Sequence, residues 1–200
     1  MIYIRKFDYT DAERGTVKAL QSRHGMELLH YAAEKELSLD VDNLIIAKGK
    51  HGKPYFRDLP SLHFNISHSG NYVAVILADT AVGVDVQVYR PIKERIIEKI
   101  CNDSEKGLIG RENSSERVFI ALWSLKESYV KATGTGMTFP MSSVNFTQIG
   151  TEKPPFLKIS NQCGYFLTKI CSDFVLSACL LNENISQEHL AEVFKIHFVE

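Results

Sequence analysis

Hydrophobic and polar positions change period several times along this chain, and each change marks an element. Residues 2–7 read as a short strand. From about Asp11 to Leu37 the apolar marks Val17, Leu20, Leu28, Leu29, Ala32 and Ala33 follow helical spacing, with Thr10 or Asp11 as the N-cap. Val41 to Gly49 reads as a turn into a strand, and Gly49-Lys-His-Gly-Lys-Pro54 breaks all periodicity and predicts a loop. Leu62–Ile66, Tyr72–Leu77 and Ala81–Val88 are short apolar runs separated by tight turns, a pattern that predicts an antiparallel meander. Pro91 opens a helical segment that runs through Ile100. The polar, glycine-containing stretch 102–115 predicts a mobile excursion.

The clearest helix covers 116–133, marked by Phe119, Ile120, Leu122, Trp123, Tyr129 and Val130 and ended by Gly134. Strands are expected near 144–147, 156–160, 164–170 and 174–181. Each half therefore reads as a helix plus a strand pair, Asn71–Val88 in one and Tyr165–Leu181 in the other. The expected class is α+β: a pseudo-two-fold arrangement of two similar halves, residues 1–81 and 82–200, each an antiparallel sheet with a packed helix.

Composition narrows the partners. The chain has 200 residues, 44% of them apolar and 24% charged, as in a folded domain. Its formal net charge of −1 supplies no global field toward nucleic acid or an anionic membrane, so a bound anion needs a local basic pocket. Cys101, Cys163, Cys171 and Cys179 form no Cys-x-x-Cys pair and read as free thiols of a reducing compartment. The start of the chain has no long apolar core, and no run approaches the ~20 apolar residues of a membrane span. A cytoplasmic protein is expected.

Three polar clusters sit inside apolar sequence. Asp85 interrupts Val82-Gly-Val-Asp-Val86, where a carboxylate is costly to bury unless it is paired or holds a metal. Gln87 falls on the same strand face, and together they offer three side-chain oxygens, a set suited to a hard cation such as Mg2+; the plain alternative is an Asp bonded to a turn. Ser67-His68-Ser69-Gly70 ends a strand with hydroxyls and an imidazole suited to phosphate or ribose oxygens, and no Gly-x-Ser-x-Gly elbow accompanies it. Lys48, Lys50, His51 and Lys53 make the neighbouring loop a local cationic patch, unless they are simply solvated. Finally, Trp123-Ser-Leu-Lys-Glu-Ser-Tyr-Val-Lys131 sets Glu127 one helical turn before Lys131, with Lys126 adjacent and the glycine-rich Gly134-Thr-Gly136 behind. Such a pair alone is usually a surface ion pair. With the other clusters, the parts match metal-assisted displacement at a pyrophosphate.

The motifs Phe64-Asn-Ile-Ser-His-Ser-Gly70, Val82-Gly-Val-Asp-Val86 and Trp123–Lys131, together with Gly52-Lys-Pro54 and Arg90-Pro-Ile92, resemble the 4'-phosphopantetheinyl transferases of the larger, surfactin-synthetase-activating type. The resemblance runs from about Gly52 to Pro140. It implies transfer of the phosphopantetheine arm of coenzyme A to a serine of an apo acyl or peptidyl carrier protein, releasing 3',5'-ADP. It implies a monomer with coenzyme A in a cleft between two similar halves. Asp85, Gln87 and Glu127 would hold Mg2+, and Glu127 would activate the serine. Lys131, with Lys126 nearby, would neutralise the phosphate, while Lys53, Ser67 and His68 would grip the nucleotide end. The carrier would meet the 102–115 excursion and Phe139-Pro-Met141.

Two departures stand out. Many members carry Glu where this chain has Gln87, which lowers the anionic charge offered to the metal. The dense basic cluster before the first helix is also missing; Arg14, Lys18, Arg23 and His24 are the substitutes, with Arg23 and His24 expected to serve. These departures suggest an alternative, a catalytically impaired coenzyme A or carrier-binding module, against which Glu127 and Lys131 stand. A metal-dependent phosphohydrolase would need further His and Asp ligands.

Overall fold

In the computed structural model, residues 1–9, 16–110, 115–147, 157–158, 164–182 and 184–200 are described. The expected cap at Thr10 or Asp11, together with Arg14, Cys163 and most of the 156–160 strand, lies outside them.

Two four-stranded sheets face each other across a shared apolar layer, and β2 (Ile46–Lys48) pairs with β3 (Pro54–Phe56) in a separate two-stranded ribbon. The first takes its strands in the order β10 (Ile196–Val199), β1 (Ile2–Lys6), β5 (Tyr72–Ala78) and β4 (His63–Ser69). The second runs β6 (Val82–Val88), β9 (Phe174–Leu180), β8 (Tyr165–Ile170) and β7 (Leu157–Lys158). All pairings are antiparallel except β1 with β10. Ile2, Ile4, Ala74 and Ile76 of one sheet meet Val82, Val84, Val86, Leu176 and Ala178 of the other. Helix α1 (Val17–Leu37) covers the outer face of the first sheet, where Leu28, Leu29, Ala32 and Ala33 pack on Tyr3, Val73 and Val75. Helix α4 (Ser115–Thr133) covers the second, burying Phe119, Leu122 and Leu125 against Phe166, Val175 and Cys179. Strands β5 and β9 are thus buried on both faces, which is why every one of their residues is shielded.

The mixed α+β class stands, but three local expectations do not. The meander breaks after β5: β6 leaves for the second sheet and pairs with β9 over seven residues, Val82 with Leu180 through Val88 with Phe174. The 102–115 stretch is not an excursion over its described part; Asp103–Ile109 forms helix α3, entered through a capping box between Asn102 and Glu105. No strand forms at 144–147. A 3-10 turn, Met141–Ser143, precedes Val144 and Phe146, which insert into the core. The segment opened by Pro91 becomes helical only at Glu94, as α2 (Glu94–Ile100). Beyond 181, where the sequence pattern predicts no element, α5 (Gln187–Val193) leads to β10, which lies beside β1 and so carries the second half of the chain back into the first sheet.

Helix α4 approaches β6 unusually closely, at Gly83. A Cβ placed there would lie 2.0 Å from the Ser128 carbonyl oxygen and 2.5 Å from the Ala132 nitrogen. Both are backbone atoms, so no rotamer change makes room. Gly83→Ala is therefore expected to destabilise the fold by more than about 3 kcal/mol, or to leave it insoluble, when read by urea unfolding. A variant within about 0.5 kcal/mol of the parent would show that the helix can move off the strand.

Candidate active site

Strands β4 and β6 are the edges at which the two sheets abut, and their junction builds the site. The amides of Val84, Val86 and Val88 are answered by side-chain oxygens of β4: Asn65 Oδ1 at 2.9 Å, Ser67 Oγ at 3.2 Å and Ser69 Oγ at 3.1 Å. This explains the alternation of polar residues in the Asn65–Ser69 motif. They satisfy an edge that would otherwise strand its donors inside the protein. Ser67 and Ser69 are accordingly buried, and the expectation that Ser67 grips a nucleotide gives way to a supporting position beneath Asp85.

Asp85 is 1% exposed. Its Oδ1 accepts from Lys131 Nζ at 2.5 Å and from Ser67 Oγ at 3.0 Å, and its Oδ2 accepts from Gln87 Nε2 at 2.9 Å. Lys131 Nζ also donates to Ser67 Oγ at 2.8 Å, which closes a small network across β4, β6 and α4. Ser124 fixes the helix from the other side by donating to the Asp85 backbone carbonyl at 3.1 Å. Glu127, on the same face of α4 as Lys131, is half-buried rather than exposed. Its carboxyl is held above the usual range by desolvation and then by the charge of Asp85; Lys131 and a hydrogen bond from Trp123 oppose this. Trp123 in turn carries the Arg90 guanidinium 5.4 Å above its ring.

Three of the expected ligand-binding cations are placed elsewhere. Lys126 neighbours Glu127 in sequence but lies about 100° round the helix. It is fully buried, with Nζ within 3.0 Å of the Ile100, Met141 and Val144 carbonyls and 2.6 Å from Glu105 Oε2. Glu105 completes this internal knot by accepting from the amides of Asn102 and Phe146. Lys126 is therefore a packing lysine that binds α2, α3 and the 141–146 turn to α4, and a phosphate cannot reach it. Arg23 and His24 are tied to Glu27, His24 stacked on Phe7 just beyond β1. Glu27 also meets Arg5 of β1, and the α1 residue whose charge reaches His68 is Lys18.

Lys53 donates to the carbonyls of Val82 and Ala132, each at 2.9 Å, and pins the 49–53 loop to the last turn of α4. Burial pulls its ammonium down to about 8. The glycines after α4 serve the same docking: Gly134 and Gly136 take positive φ, and Gly136 lies against His51. His68 does stand at the site. Partial desolvation, then the Lys131 ammonium, hold its imidazole below the ordinary value, and Lys18 adds to this. Sequence reasoning passed over Gly83, Ser124, Trp123 and Glu105. The Asn102-x-x-Glu105 spacing and a glycine inside a strand were the available signals for two of them.

The donor set fits a hard divalent cation. Among the described residues no group of three His, Cys, Asp or Glu side chains is placed to hold a metal. The available oxygens are the carboxylates of Asp85 and Glu127 and the amide oxygen of Gln87. The charge of Asp85 helps to push the Glu127 carboxyl up, a repulsion that a cation between them would relieve.

Comparison with known proteins agrees with this arrangement. A family model described as the 4'-phosphopantetheinyl transferase superfamily matches residues 81–179, and one described as 4'-phosphopantetheinyl transferase, N-terminal, matches residues 4–80. The chain is 33% identical over 132 residues to the 4'-phosphopantetheinyl transferase psf-1 of Bacillus pumilus, covering 65% of this chain and 57% of that protein. It is 31% identical over 121 residues to 4'-phosphopantetheinyl transferase Sfp of Bacillus subtilis, covering 60% and 54%. The chain thus spans little more than half the length of these relatives. A solved holo-[acyl-carrier-protein] synthase of Thermotoga maritima is 19% identical, covers 58% of this chain and 75% of that one, and superposes with a TM-score of 0.40, too slight a likeness to carry any inference. The two family models between them take in most of the chain and meet at the junction of β5 and β6, and on that ground the chain belongs to the 4'-phosphopantetheinyl transferase superfamily, within its Sfp type.

Proposed function

We propose that this chain transfers the 4'-phosphopantetheine arm of coenzyme A to a serine hydroxyl of an apo acyl or peptidyl carrier protein, with Mg2+, releasing 3',5'-ADP. The observation that carries the reading is the placement of Glu127 and Lys131 of α4 over the buried Asp85 of β6. Coenzyme A would lie at the seam of the two sheets, its phosphates toward Lys131, His68 and Lys18. The halves, 1–81 and 82–200, would be related by a pseudo-two-fold axis and act as a monomer in the cytoplasm. A sheet with one long outer helix on each half, the first sheet completed by β10 from the second half, supports the first of these points.

Asp85, Glu127 and the Gln87 amide oxygen would hold the metal, which when bound supplies Lewis acidity to the pyrophosphate oxygens. The chain's own groups do the rest. Glu127 takes the serine proton, directly or through a water, as the serine oxygen forms its bond to the phosphorus of the arm. The bond from that phosphorus to the oxygen of the leaving 3',5'-ADP breaks in line. Lys131 neutralises the charge gathering on the oxygens, so most of the rate comes from positioning and electrostatics. An inactive binding module would have no use for Glu127 at this junction.

Mass spectrometry of apo carrier proteins incubated with the chain, Mg2+ and coenzyme A should show the gain of one phosphopantetheine arm. No gain across acyl and peptidyl carriers would leave the binding module as the better reading. Glu127→Gln should lower the transfer rate by roughly 10²-fold or more, the scale of a lost general base. The fold should survive, because the amide is isosteric and ends the repulsion with Asp85; activity within about tenfold of the parent would remove Glu127 from the role of base. Gln87→Glu should lower the Mg2+ concentration needed for half-maximal rate, since a third carboxylate joins the donor set. An unchanged or higher requirement would show that position 87 does not meet the metal.

A further inference from the structure

Both oxygens of Asp85 are already in use. Oδ1 holds the Lys131 ammonium at 2.5 Å and the Ser67 hydroxyl at 3.0 Å, and Oδ2 holds the Gln87 amide at 2.9 Å. An ionised carboxylate accepts and never donates, so Gln87 must turn its NH2 toward Asp85 and its oxygen away. In this arrangement Oδ1 is filled, Oδ2 keeps a single lone pair, and the Gln87 oxygen faces away from Asp85, so the two residues do not present a joint donor set to a cation. A positive charge is nonetheless present, on the chain itself. Burying Asp85 without it would be costly, since a carboxylate at 1% exposure keeps almost no water.

We propose that Lys131 is the built-in counter-ion of Asp85 and that metal binding is an exchange, in which the divalent cation takes up Asp85 only as Lys131 leaves it. The two partners differ in freedom. The Asp85 side chain is 2% exposed and held by β6, whereas Lys131 is 26% exposed on a flexible four-carbon stem. Lys131 is therefore the group that moves. Its departure is favourable when an anion waits for it, and a metal-chelated diphosphate delivers both needs together: a cation for Asp85 and an anion for Lys131. Mg2+ alone meets a carboxylate that is already neutralised. It must displace an ammonium from a short, desolvated bond and turn over the Gln87 amide, with nothing gained by the released lysine. The consequence is an order of binding, with the metal entering together with the diphosphate rather than ahead of it.

This inference rests on the reading of the site as a metal–diphosphate centre. Its test uses neither a carrier nor coenzyme A, so the two can fail separately. Thermal unfolding of the parent chain should be unchanged by millimolar Mg2+ or by inorganic pyrophosphate alone, and shifted upward by both together. Lys131→Met should unfold at a lower temperature without metal, and Mg2+ alone should restore it. Calorimetric titration of Mg2+ into Lys131→Met should give binding tighter by roughly tenfold or more than into the parent, because the competing cation is gone. Lys131→Arg, which keeps the charge, should retain the parent's weak response.

Equal Mg2+ affinity in Lys131→Met and the parent would overturn the exchange. So would a parent stabilised as much by Mg2+ alone as by Mg2+ with pyrophosphate. If Lys131→Met does not fold, that second comparison, made on the parent chain, decides the matter. Transfer to apo carriers with these criteria unmet would sink only the exchange, and the criteria met without transfer would sink only the transferase reading.

Discussion

The close contact of α4 with β6 at Gly83 is the constraint on which the site depends. A strand and a helix with ordinary side chains between them stay about 10 Å apart. Here the absent Cβ lets the Ser128 carbonyl settle onto the strand, and the distance from that point to Asp85 is two residues along β6. Glu127 and Lys131 flank Ser128 on the helix, so the same contact that seats the helix delivers both heads to the carboxylate. The geometry of the site is thus set by backbone against backbone, a contact that no rotamer change can relax.

Around that contact the protein uses polar groups as fasteners. Asn65, Ser67 and Ser69 close the junction between two sheet edges, and Lys126 with Glu105 ties three segments to the far side of α4. Two lysines five residues apart on one helix therefore meet opposite fates. Lys126 is surrounded by four oxygens with no exposure and is locked; Lys131 is held by Asp85 and Ser67 with its side chain 26% exposed and can leave. The difference is the number of fixed partners and the access of water, not the residue type.

Much of this could be read in advance. The long helices, the paired strands and the trio of Asp85, Glu127 and Lys131 followed from periodicity and from charges set in apolar sequence. The misreadings share one cause. Lys53, Ser67 and Lys126 are expected at a ligand from the resemblance and because polar residues in a motif suggest binding. Each had instead a partner distant in sequence: Ala132 for Lys53, Val86 for Ser67, Glu105 for Lys126. A linear pattern does not reveal whether a buried donor already has an acceptor. Helix α3 escapes a reading of the sequence for a related reason, since its polar surface resembles a loop until Glu105 is seen to face inward.

The sequence by itself determined the two long helices and most of the paired strands, the absence of a strong overall field and the residue types brought to the site, because these follow from spacing and composition. Only the tertiary structure decided that β6 crosses to the second sheet, that β10 returns to the first, and that the two sheets join along β4 and β6. It also decided which cations face Asp85. Those outcomes rest on pairing between residues far apart in the chain, where the free energy of a contact depends on what else is already satisfied, and no local pattern carries that information.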